Sequence, residues 1–201
     1  MQETYSTKEI ENSWKTQWKG KIFFAHGSEH SRGVLILVKD SLEFEAKSVR
    51  QDSQGRFILL EAIVQDQKFV FLNMYAPNKT SEQILFFETI KDELNSVDID
   101  DECRIIVGGV FNVILDPKLD GEGCTPKLKK FVKQVENICS THDLVDIWRV
   151  RNPSLKRFTW CQKTPIVQRR LDFWLVDSSL QEDVDYTAII PCINSGHSRS
   201  Y

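Results

Sequence analysis

Residues 57–77, FILLEAIVQDQKFVFLNMYAP, constrain the fold more than any other stretch. Two apolar runs, rich in aliphatic and aromatic residues, flank a polar turn at 65–68. That pattern predicts two adjacent antiparallel strands, and Pro77 stops the second of them. The same reading gives a buried strand at GVLILVK (33–39) and another in RIIVGGVFNVIL, with short strands near FTWC (158–161), RLDFWLV (170–176) and YTAIIP (186–191). Helices are fewer. Ser6 or Thr7 is placed to cap one over about 8–18, with Ile10, Trp14 and Trp18 on one face. Thr80 starts a second, and 125–142 form a third, with Leu128, Phe131, Val132, Val135 and Ile138 as its apolar stripe. Many strands joined by short turns, with helices outside, argue for largely antiparallel or mixed sheets.

The chain's 201 residues fit one large domain or two small ones, and no repeat, low-complexity tract or linker divides it. No apolar run is long enough to span a bilayer, and MQETYSTKEI has no basic head leading into an apolar stretch. Five cysteines without a CxxC pair predict reduced thiols, in the cytoplasm or nucleus, and argue against zinc. The net charge of −3 does not mark a nucleic-acid binder. Basic residues are nevertheless clustered in KLKKFVK (127–133) and QRR (168–170). Lys127, Lys129, Lys130, Arg169 and Arg170 are therefore candidate phosphate contacts beside the plainer reading of a solvated face. Cys161 and the five tryptophans read as packing residues.

Polar residues stand at the ends of predicted strands. Glu3 lies in QET, Asn73 and Tyr75 in NMYAPN, Asn112 in GGVFN, Asp172 in RRLDF, and His197 in SGH. Each alone has an ordinary structural explanation, such as a turn asparagine or a solvated tail histidine. Their order, together with DSQGRFILLE, LVDIWR, FTWC and KEIENSWKTQW, resembles the endonuclease/exonuclease/phosphatase superfamily, and within it the endonuclease domain of LINE-type retrotransposons. The resemblance covers nearly the whole chain.

It implies an α/β (α+β) fold: a four-layer α/β/β/α sandwich of two packed mixed sheets with flanking helices, forming a single domain over 1–201. It also implies a monomeric, magnesium-dependent endonuclease that nicks DNA by phosphodiester hydrolysis. By the same resemblance, Glu3 is the metal ligand, Tyr75 holds the phosphate and Asn112 polarises it. Asp172 and His197 complete the catalytic set.

Two positions depart from the family pattern. Val110 stands where the family's GDFN has Asp, and Gly196 where its SDH has Asp. Neither side chain offers an oxygen to a metal or to an attacking water, so the expectation is a catalytically inactive copy. Met1 falls where the family usually has an internal Leu, and the chain stops four residues after His197. The first and last strands of the family fold are therefore expected to be missing. Two alternatives stay open: a non-catalytic module binding nucleic acid or protein, and residual phosphoesterase activity on another substrate.

Overall fold

The computed structural model describes residues 1–100, 102–123, 129–190 and 199–200, with the side chains of 129–131 and 199–200 excepted. The chain divides into two compact units: Met1–Ala76 with Glu93–Gly109, and Pro77–Asp92 with the residues from Val110 onward.

The first unit is built around the hairpin of the long apolar segment. Strands β1 (Gly20–Ala25), β2 (Val34–Lys39), β3 (Phe44–Gln51), β4 (Phe57–Val64), β5 (Gln67–Tyr75) and β6 (Arg104–Val110, its last residue beyond the unit) follow in chain order. β1 and β2 form an antiparallel ladder, and β3, β4, β5 and β6 lie side by side in that order. β4 pairs on both edges, antiparallel to β3 and β5. Its first four residues are all buried rather than alternating, so both faces of the strand are covered at that end. The β4–β5 turn is tighter than the four residues expected. Val64 pairs with Gln67, leaving Gln65 and Asp66, both at positive φ, as a two-residue hairpin loop.

β1 and β2 pack on β4 and β5. Ala25, Val34, Val38, Phe44, Ile58, Leu60 and Ala62 form the core between the layers. Each fully buried aliphatic or aromatic side chain there contributes roughly 1.5–3 kcal/mol. The first expected helix is a 3-10 turn (Lys8–Ile10) continued by α1 (Glu11–Gln17). Thr7 occupies its N-cap position but makes no side-chain capping bond.

The second unit contains α2 (Thr80–Asn95, its last turn outside the unit), β7 (Gly121–Glu122), α3 (Lys129–Thr141), β8 (Leu144–Asp146), α4 (Ile147–Arg151), β9 (Trp160–Lys163), β10 (Ile166–Arg169), β11 (Asp172–Asp177), β12 (Ile189–Ile190) and β13 (Arg199–Ser200). β10 joins β7 and β9 in a three-stranded antiparallel sheet, and β11 pairs antiparallel with β8. α3 packs on β8 through a face that includes the buried Val135 and Ile138. The Asp146 side chain caps α4, accepting from Arg149 N at 3.2 Å. Cys161 is exposed rather than packed, and Trp174 is partly exposed while Trp148 is buried. Among the described residues no helix is long and apolar enough to cross a membrane.

Candidate functional site

In the first unit the N-terminal segment is tied to the start of β2. Leu35 N donates to Met1 O at 2.8 Å, Met1 N to Leu35 O at 2.7 Å, and Thr4 N to Gly33 O at 3.1 Å. Gly33, at φ +87°, permits this approach, because a Cβ there would lie 2.6 Å from Thr4 Oγ1. Glu3 itself has φ +51°. The Asn73 amide nitrogen donates to Met1 O at 3.0 Å and Leu35 O at 2.8 Å, and its oxygen accepts from the Gln2 amide. Gln2 and Asn73 therefore hold the segment that carries Glu3.

Tyr75, the last residue of β5, donates its hydroxyl to Glu3 Oε1 at 2.7 Å. Burial first, then the hydrogen bond and charge of Glu3, push the Tyr75 phenol well above its ordinary pKa. It is therefore a neutral donor throughout the physiological pH range. The glycine-rich end of β6 also has a steric cause. Gly109 sits at φ +145°, and a Cβ there would lie 2.0 Å from Met74 O. Only glycine admits that contact.

In the second unit, Phe111 N donates to Leu171 O at 2.8 Å, so Asn112 and Asp172 follow directly on two bonded segments. Asn112 takes the left-handed conformation, φ +53°. Gln83, 2% exposed, fixes the loop by donating to Pro77 O at 2.8 Å and Asn112 O at 3.0 Å. The sequence marks only a helix start at Thr80 here, and this role of Gln83 was not read from it. Thr159 Oγ1 accepts from Leu171 N at 2.9 Å and Asp172 N at 3.2 Å. Phe111 and Phe173 meet edge to face, centroids 5.2 Å apart. Val110 is 4% exposed and acts as a packed apolar side chain.

Arg170 departs from the expectation of a phosphate contact. It is 1% exposed, donating through Nε to Asp120 Oδ1 at 2.7 Å and through Nη2 to Asp146 Oδ2 at 2.6 Å. Its guanidinium lies 4.3 Å from the Phe173 ring centroid and 5.1 Å from that of Trp148. A charge so buried is stable only when paired, and here its partners are two carboxylates of the same unit. Arg169 instead lies over the Trp160 ring at 5.6 Å. Lys129 and Lys130 begin α3, their side chains not described, while Lys127, Gly196 and His197 lie outside the described residues.

Magnesium asks for several hard oxygen ligands. Among the described residues no three His, Cys, Asp or Glu side chains gather as a metal site. Glu3 brings one carboxylate, already engaged by Tyr75. The described residues do not fit a divalent-metal centre.

Arg56 was missed in the sequence. Tyr75 N donates to Arg56 O at 2.7 Å, and Arg56 Nη1 reaches Tyr75 O at 3.4 Å. The expected four-residue turn at 65–68 would set Arg56 opposite Pro77; only the observed two-residue turn brings it opposite Tyr75.

No family model matches the chain. It is 32% identical over 192 residues to the Transposon TX1 uncharacterized 149 kDa protein of Xenopus laevis, covering 94% of this chain and 14% of that protein. The chain thus corresponds to a small part of its relative. Among solved structures, the AP endonuclease LMAP from Leishmania major superposes with a TM-score of 0.76 at 15% identity, covering 98% of this chain and 74% of that one. The 3′ phosphatase NExo from Neisseria, bound to product DNA hairpin, superposes with a TM-score of 0.66 at 16% identity, covering 99% and 85% respectively. The chain thus has the fold of the endonuclease/exonuclease/phosphatase proteins, a mixed α/β architecture with few helices, and by sequence it is a homologue of one segment of a transposon protein.

Proposed function

We propose that the chain is the DNA-nicking endonuclease domain of a LINE-type retroelement that keeps the means to recognise a phosphodiester but has lost its hydrolysis. Val110 carries this reading. It is buried at the end of β6 and presents methyl groups where the resemblance expects a carboxylate. Hydrolysis of a phosphodiester needs an activated water and stabilised charge on the phosphate. Loss of a positioned base costs about 10²–10⁴ in rate, and losses among residues that act together do not sum.

The surviving groups retain binding chemistry. Tyr75 is a neutral hydroxyl donor, and Asn112 stands on a loop held by Gln83. Asp172 and His197 would orient and protonate, but neither replaces the missing base. Homology to a transposon protein and the fold shared with a DNA-bound 3′ phosphatase favour DNA as the polymer recognised. The test is restoration. Val110→Asp combined with Gly196→Asp should raise magnesium-dependent nicking of supercoiled plasmid about a hundredfold or more above the unaltered chain. A folded double variant no more active than its parent would remove the explanation.

A further inference from the structure

β1 is an edge strand: among the described residues it pairs with β2 alone. Which of its backbone groups point outward follows from β2. Leu35 exchanges both its backbone bonds with Met1, on the far side of β2. Its opposite residue in β1 is Phe24, so that pair is a non-hydrogen-bonded one, and Phe24 turns its N–H and C=O away from β2. By the two-residue period of a strand, Ile22 does the same. Neither backbone finds another partner among the described residues.

The first unit treats its edges differently. β3, at the end of its own sheet, carries Glu45, Lys47 and Arg50 and breaks register between Ala46 and Ser48. Charges and register breaks discourage pairing with another chain. β1 has no such protection. Its six residues, GKIFFA, run in unbroken register against β2, and Ile22, Phe23 and Phe24 are all partly exposed. Its single charge does not guard the edge. Lys21 Nζ donates to Phe44 O at 2.5 Å and lies 5.2 Å from the Phe44 ring centroid.

We propose that β1 pairs antiparallel with β1 of a second copy of this chain, extending the ladder across a two-fold axis at Phe23. The proposal goes beyond the DNA reading and does not depend on it; it departs from the monomer that the family resemblance implies. The strand is self-complementary in this register. Ile22 of each copy meets Phe24 of the other, and each such pair exchanges both N–H···O bonds. Lys21 falls opposite Ala25, so no like charges face one another. Phe23 meets its own counterpart in a non-hydrogen-bonded pair, where side chains stand closest, and aromatic pairs across strands are favourable. Its ring already lies 6.0 Å from that of Phe44, so the new pair continues an aromatic row. A two-fold contact uses the same patch on both subunits, and that symmetry favours a second copy over an unrelated strand. A ladder this short buries less than the roughly 1,200 Å² of a stable interface, so the dimer forms reversibly at about 10–100 µM protein.

The experiment is sedimentation velocity of the full chain, without DNA, across that range of concentration. The parent should shift reversibly from monomer to dimer. Ile22→Pro removes an outward N–H that the monomer does not use, a change that edge strands tolerate, and should weaken association at least tenfold. Phe23→Cys, mildly oxidised at the top of the range, should form a dimer linked through the introduced thiols. Cα atoms of a non-hydrogen-bonded pair stand about 4.5 Å apart, within disulfide reach. Peptide mapping by mass spectrometry separates that link from any through the native cysteines. Thermal melts by circular dichroism establish that each variant is folded. A parent that stays monomeric throughout would overturn the proposal. Association that persists in a folded Ile22→Pro variant would place the contact on another surface and overturn it equally. Should Ile22→Pro not fold, the cross-link decides: no disulfide at position 23 in a folded Phe23→Cys variant overturns the pairing.

Discussion

Replacing Arg170 with alanine should be among the most damaging single changes in the chain. The side chain is almost wholly buried and holds the Asp120 and Asp146 carboxylates through four hydrogen bonds. Removing one partner of a buried ion pair costs about 3–5 kcal/mol, because the remaining charge is stranded away from water. Here two carboxylates lose their partner, and Arg149 Nη2 still reaches only Asp120. Loss of the ring contacts with Phe173 and Trp148 adds to the damage, but contacts that share a group do not add independently. An overall loss of about 4 kcal/mol follows. For a chain of this size it corresponds to a fall in Tm of roughly 8–16 °C. Arg170→Lys, which keeps the charge but not the fork, should lose about half as much. Urea unfolding followed by tryptophan fluorescence and circular dichroism measures both. A loss below about 1 kcal/mol for Arg170→Ala would refute the network as a stabilising element.

Gly109→Ala should destabilise the chain by about 2 kcal/mol or more, because a methyl group meets Met74 O at 2.0 Å in a backbone conformation that alanine resists; unchanged urea unfolding would contradict this. Burial raises the Cys139 thiol to about 11, so its alkylation by iodoacetamide at pH 8 should run about a hundredfold slower than that of a free thiol. The exposed Cys161 should be modified before Cys139, and equal rates at these two by mass spectrometry would contradict the burial argument.

The long hairpin was legible because its apolar runs are dense and its turn is polar, and α2 and α3 because their periodicity is helical. β1 and β3 were not. β3 is a charged strand with a single buried residue, Phe44, and a register shift between Ala46 and Ser48. Charge and bulges of this kind belong to edge strands and erase the alternation that reveals a strand. Arg170 illustrates a harder limit. The pair Arg169–Arg170 reads as one basic patch, although neighbours in an extended chain face opposite ways. Its partners lie 50 and 24 residues away, and local pattern does not connect them. In the same way nothing in the local sequence connects Gly109 to the Met74 carbonyl it approaches. Glu3, Tyr75, Asn112 and Asp172 were named as candidates through family resemblance alone. The residues that hold them, Gln2, Asn73, Gln83 and Thr159, act through backbone hydrogen bonds, which leave little trace in residue type.

Plasmid nicking by the unaltered chain tests the loss of hydrolysis most directly. Purified protein in excess over supercoiled DNA, with magnesium, should produce no more open circles than a Glu3→Ala variant prepared in parallel. Nicking by the parent that disappears in Glu3→Ala would mean that water is still activated in this protein, and that Val110 has not silenced it.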